Sequence, residues 1–317
     1  MKSKNLNKGL FGSKGALFFS WEEVLFLTIS SLAVFLMFFI EIEVDILQQL
    51  SLFFIICLGI PHGAIDNKLF WKQKEKRESL FIALYILVAF FTVMVWLVAP
   101  VFSFFTFLLY SAFHFGQCQL FYITDKNNFL SNTLFLSWGV VMISFLIHFN
   151  LDDIYRVSNT YPEFKLITNA FNAFDSTFLL VVSSLIFLSL FTYNKYKRSV
   201  KNISFLRELI ILILSGYFFY TLPFLVDFML FFCILHSLRS MKHQYSFLQK
   251  NERQVTLSKY LKYVLPFTII SILGLLFIFI LGKVVQLPYS FSYIFLIVIS
   301  AITVPHLFVM NRFYEKA

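Results

Sequence analysis

SLFFIICLGIPHGAIDN, residues 51–67, is the stretch on which the fold turns. It closes a hydrophobic run of the length needed to cross a bilayer core, about 20 residues. Yet it ends on a proline, a histidine and an aspartate, Pro61, His62 and Asp66. Working outward, the rest of the chain has the same character. Its 317 residues are 59% hydrophobic and only 14% charged, with a mean hydropathy of +0.79. A soluble domain of that length could not hide so much apolar surface, so the composition points to an all-α, polytopic membrane protein.

Apolar runs of spanning length fall at about 22–40, 46–66, 79–99, 101–121 and 129–149, and then at about 176–193, 205–221, 223–243, 262–282 and 288–310. Pro100 and Pro223 separate runs that have almost no polar linker, as tight turns between helices require. The basic residues test this count. With the N-terminus cytoplasmic and ten helices alternating, 23 of the 26 Lys and Arg lie inside and only Arg156, Lys165 and Lys283 lie outside. That is the asymmetry the positive-inside rule demands. The sequence therefore predicts a transmembrane bundle of about ten helices with both termini cytoplasmic. It reads as one integral-membrane domain, 1–317, with a basic N-terminal segment at 1–20, a longest outside loop at 150–175 and a polar cytoplasmic loop at 244–261. The residues after the first span, EIEVD, do not form a cleavage site of small residues.

The formal net charge of +9 sits between spans rather than in a patch. It reflects topology, and no nucleic-acid partner is expected. The three cysteines, Cys57, Cys118 and Cys233, are dispersed and form no CxxC pair.

The topology gives the histidines a depth. His62, His114, His236 and His306 lie on four helices that all run from outside to inside, about 16, 13, 13 and 18 positions from their outer ends. At about 1.5 Å per residue this places them in one layer, roughly 20–27 Å from the outer surface. His148 ends a helix on the opposite side, and His243 lies one or two turns nearer the cytoplasm. Ionisable side chains are costly within a membrane and mark a functional interior. Four imidazoles at one depth suit iron, zinc, copper or nickel. On a continuous helix Asp66 would face the same way as His62, where a carboxylate can fix the tautomer of a ligand imidazole. Gly63 and Gly116 each follow one of these histidines and would admit a close neighbour. Arg239 would pair with Asp66 or reach for the membrane interface.

Several chemistries are excluded. Six histidines without an HxxxH or HxxHH cluster do not make a di-iron desaturase, and no histidine pair has the spacing of a bis-histidine haem span. HExxH, GxSxG and phosphate-loop motifs are missing. A mononuclear all-histidine site open to lipid remains, as does a transporter or carrier with a polar midlayer.

The motifs PHGAID (61–66), HFG (114–116), HSLR (236–239) and TVPH (303–306), in this order, resemble the Brp/Blh family of bacterial and archaeal membrane β-carotene 15,15′-dioxygenases. The resemblance covers nearly the whole chain. It implies cleavage of the central double bond of β-carotene by O₂ with Fe(2+), giving two retinal molecules, in a bacterial cytoplasmic (inner) membrane. It also implies a carotenoid substrate drawn from the bilayer and a functional link to a retinal-binding rhodopsin. Carried over, His62, His114 and His236 are iron ligands, and His306 is the fourth ligand or a close neighbour. Asp66, Arg239 and Ser240 would surround them. Tyr110, Phe113, Phe115, Phe231 and Phe232 are candidates to line a polyene tunnel. Two departures stand out. Ser240 occupies the place of a second histidine in HSxRH, and Gln119 stands where some relatives carry Asp. The alternatives are a metal-dependent membrane oxygenase acting on another carotenoid or isoprenoid, and a non-enzymatic carrier.

Overall fold

The structure, a computed structural model, describes residues 19–40, 43–70, 78–124, 129–172, 175–197, 202–251, 255–286 and 288–316. Most of the basic segment expected at 1–20, and the basic linker after the second span, lie outside the described residues. No strand occurs among the described residues.

The helices follow in order: α1 (Trp21–Phe39), α2 (Val44–Phe54), α3 (Asp66–Phe70), α4 (Glu78–Val98), α5 (Pro100–Leu120), α6 (Phe129–Phe149), α7 (Leu151–Thr160), α8 (Lys165–Asn172), α9 (Ser176–Tyr196), α10 (Asn202–Thr221), α11 (Phe224–Met229), α12 (Arg239–Asn251), α13 (Leu257–Val285) and α14 (Phe291–Lys316). Among the described residues nine helical stretches are long and apolar enough to cross a membrane, so the chain is a polytopic membrane bundle. The run expected at 205–221 forms α10, which is 20 residues long and carries the buried Glu208.

Local chemistry sets the boundaries. Pro100 opens α5, where its missing N–H costs nothing, and Pro223 caps α11. Asp175 caps α9 by accepting the N–H groups of Thr177 and Phe178 at 2.8 and 3.3 Å. Gln286, in the left-handed region at φ 55°, ends α13. The expected outside loop at 150–175 holds two short amphipathic helices, α7 and α8. Ile167 and Phe171 of α8 pack on Trp96 and Tyr293. Near α8, Glu163 accepts the backbone N–H of Ser290 at 2.5 Å. Burial alone would raise the pKa of Glu163, but hydrogen bonding from Ser290 holds it below the usual carboxylate value.

Two expectations are corrected. The polar loop expected at 244–261 is mostly helix, because α12 continues to Asn251 and α13 begins at Leu257. Its polar composition hides an apolar face: Phe247 and Leu248 are buried in a cluster with Tyr260, Val264, Phe313 and Tyr314. The second span is also not one continuous helix. After α2 it widens into a π-helical turn at Ile55–Gly59, tightens into a 3₁₀ turn at Ile60–Gly63, and restarts as α3. Pro61 has no N–H to continue the α pattern. A longer π-helical segment, Leu230–Leu238, joins α11 to α12.

The centre of the bundle is the α5–α6 pair. A Cβ on Gly116 would strike the backbone carbonyl of Phe135, and one on Gly139 would strike that of Ala112. Small residues on both helices let the two backbones touch, as packing in lipid favours. In the most apolar 18 residues of Phe129–Phe149 and Phe224–Lys250, 56% and 61% of the residues are buried, against 11% for Ser79–Val98 and 17% for Leu257–Val285. The former are interior helices, and the latter face lipid.

Candidate metal centre

Four imidazoles converge in the interior. One ring nitrogen from each of His62, His114 and His236 lies within 4.8 Å of the others. The His114 and His236 ring centroids are 4.8 Å apart, and those of His62 and His236 are 5.2 Å apart. The His306 ring closes the group, 4.8 Å from His62 and 5.2 Å from His114. His114, His236 and His306 are buried, and His62 is half-buried.

Each histidine arrives by a different device. His62 rides on the 3₁₀ turn, where its Nδ1 is hydrogen-bonded to the carbonyl of Gly59. A carbonyl only accepts, so Nδ1 carries the proton and Nε2 keeps a lone pair. His236 lies in the π-helical segment Leu230–Leu238; π turns often occur at functional sites. His114 sits in α5 beside the Gly116 crossing. His306 follows Pro305 in α14, and its ring lies over Gly63, where a Cβ would come within 3.4 Å of Nδ1. Its Nδ1 faces both carboxylate oxygens of Asp66 at 2.9 Å. That fixes the proton on Nδ1 and leaves the Nε2 lone pair free. The Tyr85 hydroxyl lies 3.2 Å from Asp66 Oδ2 and 3.2 Å from the carbonyl of Ile302.

The donor set fits a metal. Both nitrogens of His114, both of His236 and Nε2 of His306 are buried without a hydrogen-bond partner among the described residues. Buried polar groups are nearly always paired, so orphaned nitrogens on three imidazoles that converge need an explanation. A cation taking one lone pair from each ring provides one, and neutral imidazoles are suited to a transition metal.

The expected neighbours are placed differently. Asp66 does not serve His62, because the helix is broken between them; it holds His306 instead. Arg239 does not pair with Asp66. It is buried, 2.6 Å from Glu23 Oε1. Ser240 is fully buried, with its hydroxyl 3.4 Å from the Gln244 amide, and that amide donates to the carbonyl of His62 at 2.7 Å. His243 stands apart, 3.0 Å from the Tyr314 hydroxyl.

Of the aromatic candidates, Phe115 packs on His236 with centroids 4.7 Å apart. Phe232 stacks on His236 at 5.7 Å and meets His62 edge-on at 5.6 Å. Phe231 backs Phe115 at 5.2 Å. Phe113 turns towards Phe135, and Tyr110 is exposed on the outside of the bundle. Phe228, not singled out in the sequence, stacks on Phe232 at 5.3 Å with an interplanar angle of 9°. The four-residue spacing of Phe228, Phe232 and His236 was the available signal.

Known proteins show sequence similarity to this chain. The chain is 25% identical over 275 residues to a beta-carotene 15,15'-dioxygenase from uncultured marine bacterium 66A03, an alignment covering 84% of this chain and 93% of that protein. No solved structure matches it. The family model for beta-carotene 15,15'-dioxygenase matches residues 53–314, a stretch that contains all four converging histidines, and the chain belongs to that family.

Proposed function

We propose that this protein splits the central 15,15′ double bond of β-carotene with O₂ to give two molecules of retinal, using ferrous iron. His62, His114 and His236 would hold the iron, with His306 as a fourth imidazole. The observation that carries this reading is the set of buried imidazole nitrogens left without partners around one point. Bound there, ferrous iron would supply the electrons and open positions that let O₂ react with an alkene.

The chain's own residues do the rest. Gly59 and Asp66 hold the ring protons of His62 and His306 on Nδ1, so that the Nε2 lone pairs remain available. Phe115 and Phe232 cover His236 on two sides and exclude water. Their faces also suit a polyene, and aromatic faces stabilise cationic character developing along it. His62 and Phe232 are the less buried members of the group, so the polyene would enter from lipid on their side. A substrate confined to the hydrocarbon layer would then never have to leave it. The distribution of Lys and Arg supports cytoplasmic termini in a bacterial inner membrane.

Expression in a β-carotene-producing bacterial host, with pigment chromatography and metal analysis of the purified protein, tests this reading. Retinal should appear as β-carotene falls, and His236→Ala should abolish both product and bound iron. Iron-loaded protein that leaves β-carotene intact would shift the substrate to another carotenoid or isoprenoid. Folded protein without stoichiometric metal would point to a carrier.

A further inference from the structure

His114 and His236 differ from the other two histidines. The Nδ1 of His62 is held by a carbonyl and that of His306 by a carboxylate, but neither nitrogen of His114 or His236 has a partner among the described residues. A metal-bound imidazole ordinarily has its second nitrogen held, which fixes the ring. For His114 and His236 the placement must come through the backbone.

A buried ionic network lies just beyond them. The Arg239 guanidinium, three residues after His236, contacts three groups on two other helices. It meets Glu23 Oε1 at 2.6 Å and the Ser20 hydroxyl at 3.1 Å, at the start of α1. It donates to the backbone carbonyl of Gln119 at 3.4 Å, near the end of α5 and five residues after His114. The Gln119 amide in turn donates to Glu208 of α10 at 2.8 Å and lies 3.5 Å from Glu23. Arg207 adds a second positive charge to that of Arg239 beside the two carboxylates, 3.1 Å from Glu208 and 3.8 Å from Glu23. Glu23, Glu208 and Arg239 are all buried. Charges in such a setting persist only when paired in tight geometry, so the network admits few arrangements.

We infer that the Glu23–Arg239–Gln119–Glu208 network is a positioning lock that sets the separation of His114 and His236 at the metal centre. It acts by tying the end of α5 to the start of α12, with α1 and α10 as its frame. The inference rests on the metal reading above. Arginine is suited to this role because its planar fork reaches several acceptors at once, whereas a lysine ammonium cannot span the same set.

The test uses the full chain purified in detergent and stripped of metal, with Co(II) as the probe. Co(II) affinity and the visible absorption bands of the bound ion are compared for the unsubstituted protein, Arg239→Lys and Glu23→Gln, alongside thermal midpoints. Arg239→Lys keeps the buried charge and serves as the variant that folds if Glu23→Gln does not. The expected result is folded Arg239→Lys protein whose Co(II) affinity falls at least tenfold and whose bands shift. Folded Arg239→Lys that binds Co(II) with unchanged affinity and spectrum overturns the lock alone. An unsubstituted chain that binds no Co(II) overturns the imidazole centre, and the lock with it.

Discussion

Asp66 holds the His306 ring through both carboxylate oxygens, each 2.9 Å from Nδ1, and so joins the start of α3 to the middle of α14. The Tyr85 hydroxyl steadies the same carboxylate at 3.2 Å. Asp66→Asn would keep the shape but offer a single acceptor oxygen. Losing such a partner typically costs 10–100-fold in metal affinity. The expected outcome is folded protein with iron affinity reduced in that range, measured by metal titration of stripped protein. Tyr85→Phe should change it by less than tenfold.

The orphaned nitrogens make an unusual stability prediction. In metal-free protein, an unsatisfied buried polar group costs roughly 1–3 kcal/mol. His236→Leu removes two such atoms from the interior. The metal-free variant should therefore be at least as stable as the metal-free parent, while added Fe(2+) raises the thermal midpoint of the parent alone. A variant markedly less stable than the metal-free parent would show that His236 has a structural partner.

Gly116 and Gly274 form a contrasting pair. A Cβ at 116 meets the backbone of Phe135, which cannot step aside, whereas one at 274 meets nothing within 4 Å. Gly116→Ala should destabilise by about 1–3 kcal/mol or more, as overpacking does. Gly274→Ala should be neutral or stabilising by roughly 0.5–1 kcal/mol, since it stiffens a helix interior. Thermal unfolding in detergent distinguishes the two.

Phe232 touches both His62 and His236 but supplies no ligand atom. Phe232→Ala should therefore leave iron content intact while raising KM for β-carotene several-fold. Loss of iron together with turnover would instead make this ring part of the scaffold of the centre.

Much of this was readable from the sequence. Basic residues oriented the spans, and orientation put His62, His114, His236 and His306 at one depth. That reading needs only the rise of a helix. The neighbours were harder, because pairing across the bundle leaves no local trace. Arg239 and Glu23 are separated by 216 residues, and Asp66 and His306 by 240. The four-residue rule linking His62 to Asp66 assumed an unbroken helix, and Pro61 breaks it. The segment 244–251 reads as a loop because its lysine, glutamines and asparagine mask the buried face of Phe247 and Leu248. Nothing in LFFCILHSL, with neither proline nor glycine, announces the π-helical segment at 230–238.

That segment has a consequence for how such a protein could arise. A π turn bonds to the fifth rather than the fourth residue and so contains one residue more than an α turn. Deleting one residue between Leu230 and His236 would let the helix relax to α form with its ends still joined to α11 and α12. The His236 side chain would then rotate away from its three partners, while most of the lipid-facing surface stayed acceptable to a membrane. By this geometry one codon, gained or lost, would separate a bundle that assembles four imidazoles from one that merely spans the bilayer.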